Sequence, residues 1–163
     1  MLEQGASKCA WNNKFHAPSV AQLRDGYAKP LVPVFDAVRE TVLELKGVSE
    51  SVAWHGVPWR WTMVYRCHGD DAAPVTRAFA YLIPDPHRLQ VCVPLDRQQV
   101  SALPMRRFKK GIRDAIIHAR SVAGISWPSW DVPTRLALDD VADLIRRKHR
   151  LIAATDERVT ISA

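Results

Sequence analysis

The stretch from residue 59 to residue 67 alternates between two kinds of side chain, and this alternation limits the possible folds most strongly. Its large or apolar members are Trp59, Trp61, Met63, Tyr65 and Cys67. Successive side chains of a β-strand point to opposite faces of a sheet, so a period of two is typical of a half-buried strand. The sequence therefore predicts a strand here, with these five side chains on one face.

Segments on both sides of this strand predict the rest of a small antiparallel sheet. Residues 48–54 are rich in Val and Ser, and residues 78–83 are apolar throughout, which is typical of a central strand covered on both faces. A turn at residues 84–86 leads into a second alternating segment, residues 89–93. Such short connections join antiparallel neighbours, so we expect a meander of strands. A proline-rich edge strand is expected at residues 125–133.

Three amphipathic segments predict helices that pack on this sheet. Apolar residues recur at spacings of three and four in residues 34–45, 105–121 and 138–152. This period places one buried stripe along a helix. Gly47 is expected to end the first helix. In the third helix, aspartates at the start and the basic run at residues 146–150 are expected to complement the helix macrodipole.

The length of 163 residues fits one domain. We expect an N-terminal arm at residues 1–29 that packs loosely on the domain. A single domain is expected over residues 30–152, followed by a frayed tail at residues 153–163. The expected fold class is α+β with two layers. In it, helices pack on an antiparallel sheet of about four to five strands.

Composition excludes several classes of protein. No run of about 18 apolar residues exists, so a membrane-spanning helix is not expected. The first ten residues have no apolar core segment, which argues against a secretory signal, and a cytoplasmic location is expected. The three cysteines, Cys9, Cys67 and Cys92, are odd in number and widely spaced. This pattern fits a reducing compartment rather than a disulfide framework.

No segment carries a strong catalytic or cofactor motif. The sequence has no Gly-x-Ser-x-Gly elbow, no glycine-rich phosphate loop and no His-Glu-x-x-His helix. Cys67, His68, His87 and Cys92 lack the paired spacing that zinc sites show. We therefore expect no metal and no cofactor, we assign no catalytic residue, and enzymatic activity stays an open question.

Aromatic residues supply the leading functional hypothesis. Indole rings bury a large area and keep one hydrogen-bond donor, so they serve both cores and binding sites. Trp61 and Tyr65 are expected to pack in the core, whereas Trp59, Trp127 and Trp130 are expected to line a cleft beside residues 125–133. The hypothesis is a small cytosolic binding domain for a small or peptidic ligand. Its candidate ligand-binding residues are Trp59, Arg60, Trp61, Arg66, Trp127 and Trp130.

Two alternatives stay open. The net charge is +6, and Arg106, Lys110 and Arg113 fall on one side of the predicted helix 105–121 together with Arg120. Such a row of cations either neutralises the phosphates of a nucleic acid or forms a solvated outer face. The other alternative is a homodimeric interaction module, in which the aromatic edge segment is buried in a symmetric interface.

The order of elements resembles that of a bacterial family. A helix around residues 34–46 is followed by Trp54-x-x-x-x-Trp59, Trp61, Tyr65 and Ala80-Tyr81-Leu82-Ile83-Pro84. A late Trp127 then precedes Asp139-Asp140-Val141-x-x-Leu144-Ile145-x-x-Lys148. Over residues 30–152 this pattern resembles the family catalogued as domain of unknown function 3788, and its layout is similar to the YdhG-like domains. The resemblance implies helices packed on an antiparallel sheet, and it brings no catalytic residues.

Overall fold

Two antiparallel sheets occur within residues 10–68 and 78–161, which are the residues that the computed structural model describes. The larger sheet has the strand order β1-β2-β3-β4-β8, and the smaller has the order β5-β7-β6. The strands are β1 (Val48–Trp54), β2 (Trp61–Cys67), β3 (Ala80–Asp85), β4 (Arg88–Cys92), β5 (Leu95–Asp96), β6 (Ser121–Val122), β7 (Ile125–Ser126) and β8 (Ser129–Asp131). The predicted antiparallel meander and the central position of β3 are confirmed.

Helices complete the fold and confirm the α+β class. They are α1 (Val20–Asp25), α2 (Val32–Leu43), α3 (Arg97–Ala102), α4 (Lys110–Ile117) and α5 (Arg135–Ile161). Two short 3₁₀ turns lie at Lys29–Leu31 and Met105–Arg107. Across residues 10–68 and 78–161, no helix has both the length and the apolar character that a membrane crossing requires.

The strand register assigns every residue of the large sheet to one of two faces. One transverse row contains Val52, Met63, Leu82, Val91 and Trp130. The neighbouring row contains Ser51, Val64, Tyr81, Cys92 and Ser129. Adjacent residues of a strand point to opposite faces, so these rows lie on opposite sides of the sheet. We name the first side the helix face and the second side the aromatic face.

The hydrophobic core lies between the helix face and the helices. Phe35 and Val38 of α2 and Leu144 and Ile145 of α5 are fully buried there, together with Leu82 of the sheet. Fully burying a side chain of this size contributes about 1.5–3 kcal/mol relative to its exposure. This layer therefore supplies most of the driving force that holds α2 and α5 on the sheet.

One part of the strand prediction is wrong, because β2 begins at Trp61 and excludes Trp59. The residues between β1 and β2 form a turn in which Gly56 and Arg60 have φ values of 73° and 57°. Positive φ breaks the extended backbone, and the alternation of side chains with it. The Trp59 carbonyl accepts a hydrogen bond from Thr62 Oγ1 at 3.1 Å. The Trp59 side chain consequently packs on the aromatic face, opposite Trp61.

The predicted helix 105–121 is too long. A 3₁₀ turn occupies residues 105–107, Phe108 is extended, and α4 covers only Lys110–Ile117. The chain then forms the β6–β7 hairpin, whose turn residues Ala123 and Gly124 both have positive φ. Consecutive positive φ values at a two-residue turn are typical of hairpins and incompatible with a helix.

The predicted helix 138–152 is too short, since α5 runs from Arg135 to Ile161 and includes most of the expected tail. The basic run at residues 146–150 therefore lies in the helix interior, and its explanation by the macrodipole is wrong. Lys148 of this run is 1 % exposed. Its Nζ donates hydrogen bonds to the carbonyl oxygens of Phe79 at 2.7 Å and Pro94 at 2.6 Å. Lys148 thus joins α5 to the ends of β3 and β4.

The N-terminal segment packs more tightly than predicted. Leu23 and Tyr27 are buried members of the core. The α1 helix begins with a capping box between Ser19 and Gln22. Before it, the Asn13 carbonyl accepts a 2.7 Å hydrogen bond from Trp61 Nε1. Residues 10–29 are therefore part of the folded domain, while residues 1–9, with Cys9, lie outside the described residues.

Candidate functional site

Four aromatic side chains meet on the aromatic face, and we name them the aromatic patch: His55, Trp59, Tyr81 and Trp127. The ring centroids of Trp59 and Tyr81 are 5.1 Å apart, those of Tyr81 and Trp127 are 6.0 Å apart, and those of Trp59 and Trp127 are 6.3 Å apart. The His55 ring packs edge-on against Tyr81 at 5.3 Å. Residues from three separate parts of the chain, the β1–β2 connection, β3 and the β7–β8 connection, therefore form one contiguous patch.

The sheet positions the centre of this patch, and two connections position its sides. Tyr81 lies in the middle of β3 and is 2 % exposed, and its hydroxyl accepts a 3.0 Å hydrogen bond from the Ala78 amide. Trp59 comes from the β1–β2 turn. Trp127 comes from the β7–β8 connection, where its amide donates to the Arg120 carbonyl at 3.0 Å. The patch thus has a strand beneath it. The hydrogen bond from Thr62 Oγ1 to the Trp59 carbonyl and the one from the Trp127 amide hold the backbone at its two indoles.

The spacing of the rings defines what the patch can bind. Centroid distances of 5.1–6.3 Å are those of aromatic rings in direct contact. No planar group fits between Trp59 and Trp127, which close the cleft expected between them. Both indoles are only partly buried. A ligand would therefore stack on the exposed parts of the two indoles, because no cleft lies between them.

A titratable side chain lies at the rim of the aromatic patch. His55 follows β1 directly and is exposed to solvent on one side. Partial burial, and then the positive charge of Arg66, lower the pKa of His55 below its ordinary value of 6.5. Both effects disfavour the imidazolium form. A neutral imidazole offers one hydrogen-bond donor and one acceptor beside the indoles.

Arg66 is the second polar side chain on this face. It occupies the same side of β2 as Val64, and it is exposed. Its guanidinium carries a positive charge. This charge acts on His55 at the rim of the patch.

The structure places the other predicted ligand-binding residues elsewhere. Trp61 is buried on the helix face and packs edge-on against Trp54 at 5.7 Å. Trp130 lies on the helix face too, with its Nε1 3.4 Å from the Gly111 carbonyl. The Arg60 guanidinium stacks 4.5 Å above the Trp11 ring, so it does not share a strand face with Arg66. Of the six candidates, Trp59, Trp127 and Arg66 lie on the aromatic face.

Two members of the patch were not among the candidates. His55 continues the alternation of Ser51 and Ala53 along β1, and this signal could have indicated its face. Tyr81 lies within an apolar strand, and its sequence context gives no sign that its ring contacts two tryptophans. The contact between Tyr81 and Trp127 depends on the β4–β8 pairing, which no local pattern encodes.

A buried thiol lies beside Tyr81. Cys92 is fully buried and packs with Val64 and Tyr81. Burial raises the pKa of Cys92 to about 12. The thiolate is the nucleophilic form, so this side chain acts as a small apolar residue. Among residues 10–68 and 78–161, no group of three or more His, Cys, Asp or Glu side chains is arranged to hold a metal ion.

The predicted basic row is divided between several local structures. Arg106 lies in the 3₁₀ turn, Lys110 and Arg113 lie on α4, and Arg120 follows that helix. Neighbouring Lys109 forms a 2.9 Å ion pair with Asp140. The cations are thus close in sequence but do not form a row along one helix.

Comparisons with known proteins identify no relative. No protein-family model matches the chain, and neither do any curated protein or solved structure. The resemblance to the domain of unknown function 3788 family therefore stays a prediction.

Proposed function

We propose that this protein is a binding module whose site is the aromatic patch. The ligand is a small molecule or a peptide that presents a flat or apolar group to Trp59 and Trp127. The observation that carries the proposal is the meeting of these two partly exposed indoles over Tyr81. They come from two connections that are distant in sequence, β1–β2 and β7–β8, so the folded structure is needed to create the surface.

The energetics of aromatic side chains support this function. A ring that stacks on an indole removes apolar area from water, and aromatic pairs contribute about 0.5–1.5 kcal/mol beyond that area. Both indoles pack against the buried Tyr81, and hydrogen bonds hold the backbone at Trp59 and Trp127, so we expect little side-chain freedom to be lost on binding. These properties suit a surface that recognises rings or apolar side chains.

The charges around the patch favour one class of ligand. Arg66 lowers the pKa of His55 and so acts at the rim of the patch. A carboxylate on a stacked ring would experience this positive potential and accept a hydrogen bond from the neutral imidazole. We therefore favour planar ligands that carry a carboxylate at one end.

The test uses naphthalene-2-carboxylate as the probe, with the neutral naphthalene-2-carboxamide beside it. Affinities are measured by calorimetry for the wild type and for the Trp59→Leu and Trp127→Leu variants. We expect each substitution to weaken binding of the carboxylate by about tenfold or more, which corresponds to about 1.4 kcal/mol. Trp130→Leu is the matched control, because it removes an indole from the helix face. Unchanged affinity in the first two variants, or an equal loss in the control, would exclude the patch.

Nucleic-acid association is the second candidate function. Arg106 and Lys110 are exposed, and neither forms an ion pair with a carboxylate of residues 10–68 or 78–161. The test measures binding of a short DNA duplex by fluorescence anisotropy at several salt concentrations. We expect the affinity to fall with added salt and with Lys110→Glu, because phosphate contacts release counterions. Lys29→Glu, at an exposed position in the N-terminal segment, is the control. Equal losses in both variants would contradict a specific surface.

A further inference from the structure

The two outer strands of the large sheet differ in how they are protected. Strand β8 has three residues and lies between Pro128 and Pro133. Its Asp131 is exposed and pairs with Arg88 at 2.7 Å. Short length, nearby prolines and charge are the features that prevent an edge strand from pairing with another chain. The β8 edge is therefore closed to further strands.

Strand β1 lacks the short length and the nearby prolines of β8. It has seven residues, and all seven pair with β2 in a continuous register without a bulge. Its sequence, Val-Ser-Glu-Ser-Val-Ala-Trp, contains no proline and no lysine. A long and regular edge strand of this kind is a template for strand addition.

The hydrogen bonds at both ends of β1 show which backbone groups face outwards. The His55 amide donates to the Arg60 carbonyl, and the His68 amide donates to the Gly47 carbonyl. Residues 47 and 55 thus bond towards β2, and antiparallel geometry gives the same direction to every second residue between them. The amides of Glu50, Val52 and Trp54 consequently point away from the sheet. Within residues 10–68 and 78–161, none of these amides has a hydrogen-bond partner.

The one charged side chain of β1 is neutralised on the helix face. Both carboxylate oxygens of Glu50 accept hydrogen bonds from Arg39, at 2.7 Å and 3.0 Å. Tyr65 donates a third hydrogen bond to the same carboxylate at 2.9 Å. The β1 edge therefore presents no net charge that would repel an identical edge.

The sequence of β1 is suited to pairing with itself. In an antiparallel pair centred on Ser51, Val48 of one copy lies opposite Trp54 of the other, which gives an apolar cross-strand pair at both ends of the strand. We propose that β1 pairs antiparallel with β1 of a second copy of this chain, around a two-fold axis at Ser51. In this register Glu50 of one copy lies opposite Val52 of the other. A two-fold axis at Glu50 would instead place two carboxylates opposite each other, which is unfavourable.

This arrangement has a geometric consequence that can be tested. The backbone of Ser51 bonds to β2, so the two Ser51 residues form a non-hydrogen-bonded pair, the type in which opposite side chains come closest. Both side chains lie on the aromatic face and are exposed in the single chain. The dimer joins the two sheets into one and places both aromatic patches on the same side of it.

The experiment measures the oligomeric state by sedimentation over a range of protein concentrations. We expect the wild type to dimerise and Ser51→Lys and Ser51→Glu each to raise the dimer dissociation constant by about tenfold or more, because like charges then oppose each other. An equal mixture of the two variants should dimerise again as a heterodimer. Ser129→Lys is the matched control, since Ser129 is exposed at the opposite end of the same transverse row.

Several results would overturn the proposal. A wild type that stays monomeric at every concentration contradicts it, as does a Ser51→Lys variant that dimerises normally. Dissociation caused by Ser129→Lys would place the interface at β8. A monomeric wild type that binds an added peptide with the sequence of residues 48–54, with loss of binding in Ser51→Lys, would show that the edge accepts a strand but not a second copy.

Discussion

The two faces of the large sheet are built from the same strands but have different roles. Met63 and Val64 are neighbours in β2, yet one contacts the helical core and the other supports the aromatic patch. Long helices cover the helix face with aliphatic side chains. Two indoles from turns lie over Tyr81 on the aromatic face. The difference shows that one alternating strand supports the helical core on one side and a partly exposed aromatic patch on the other.

Truncation of the helix face should have the largest effect. Leu82 is fully buried between β2, β4 and the helices. We expect Leu82→Ala to lower the free energy of unfolding by about 2–5 kcal/mol, because transfer free energy is lost and a cavity remains. Urea denaturation measures this change. Ser129→Ala, at an exposed position of the same sheet, should change stability by about 0.5 kcal/mol or less. Similar losses in both variants would contradict the division between the faces.

The same substitution at two tryptophans compares the faces directly. Trp61→Leu removes a buried ring and the hydrogen bond from Nε1 to the Asn13 carbonyl. We expect a loss of about 2–4 kcal/mol in unfolding free energy. Trp59→Leu should cost about half as much, since its ring is partly exposed in the folded protein. A larger loss of unfolding free energy at Trp59 than at Trp61 would show that the aromatic patch stabilises the fold more than the helix face does at these positions, which would contradict the comparison.

The smallest effect concerns the protonation of His55. Its pKa in the folded protein lies below the ordinary value of 6.5, first through burial and then through Arg66. The unfolded chain therefore binds this proton more tightly. The contribution of neutral His55 to stability is complete above pH 6.5, and it is lost as the pH falls from 6.5 through the lower pKa of the folded protein. An NMR titration of the His55 ring should give a midpoint below 6.5. Arg66→Gln should raise the midpoint, and a midpoint that falls instead would contradict the assigned cause.

The strands could be predicted from the sequence because their signals are local. Alternation in β2 and the apolar run of β3 identified both elements and their antiparallel order. The position of Trp59 could not be predicted in this way. In the sequence, Trp59 belongs to the same alternation as Trp61. In the structure, the positive φ of Arg60 interrupts the strand between them, and arginine has no special preference for that conformation.

The helices show a similar limit. Residues 105–121 have a helical period, but the tertiary contacts of Phe108 favour an extended residue between a 3₁₀ turn and α4. Lys148 belongs to the basic run that the sequence predicts to complement the macrodipole at a helix end. Its burial depends on the carbonyl groups of Phe79 and Pro94, which are distant in sequence. The aromatic patch itself follows from strand pairing, so the sequence indicated two of its four members.

The most direct test of the account uses ¹⁹F NMR of protein labelled with 5-fluorotryptophan, in which the six tryptophans are assigned by single substitutions. The labelled protein is titrated with naphthalene-2-carboxylate. If the aromatic patch is the binding surface, the resonances of Trp59 and Trp127 shift together in a saturable manner, while those of Trp61 and Trp130 on the helix face do not move. Shifts confined to Trp61 or Trp130, or no saturable shift at Trp59 and Trp127, would contradict the assignment of binding to the aromatic face.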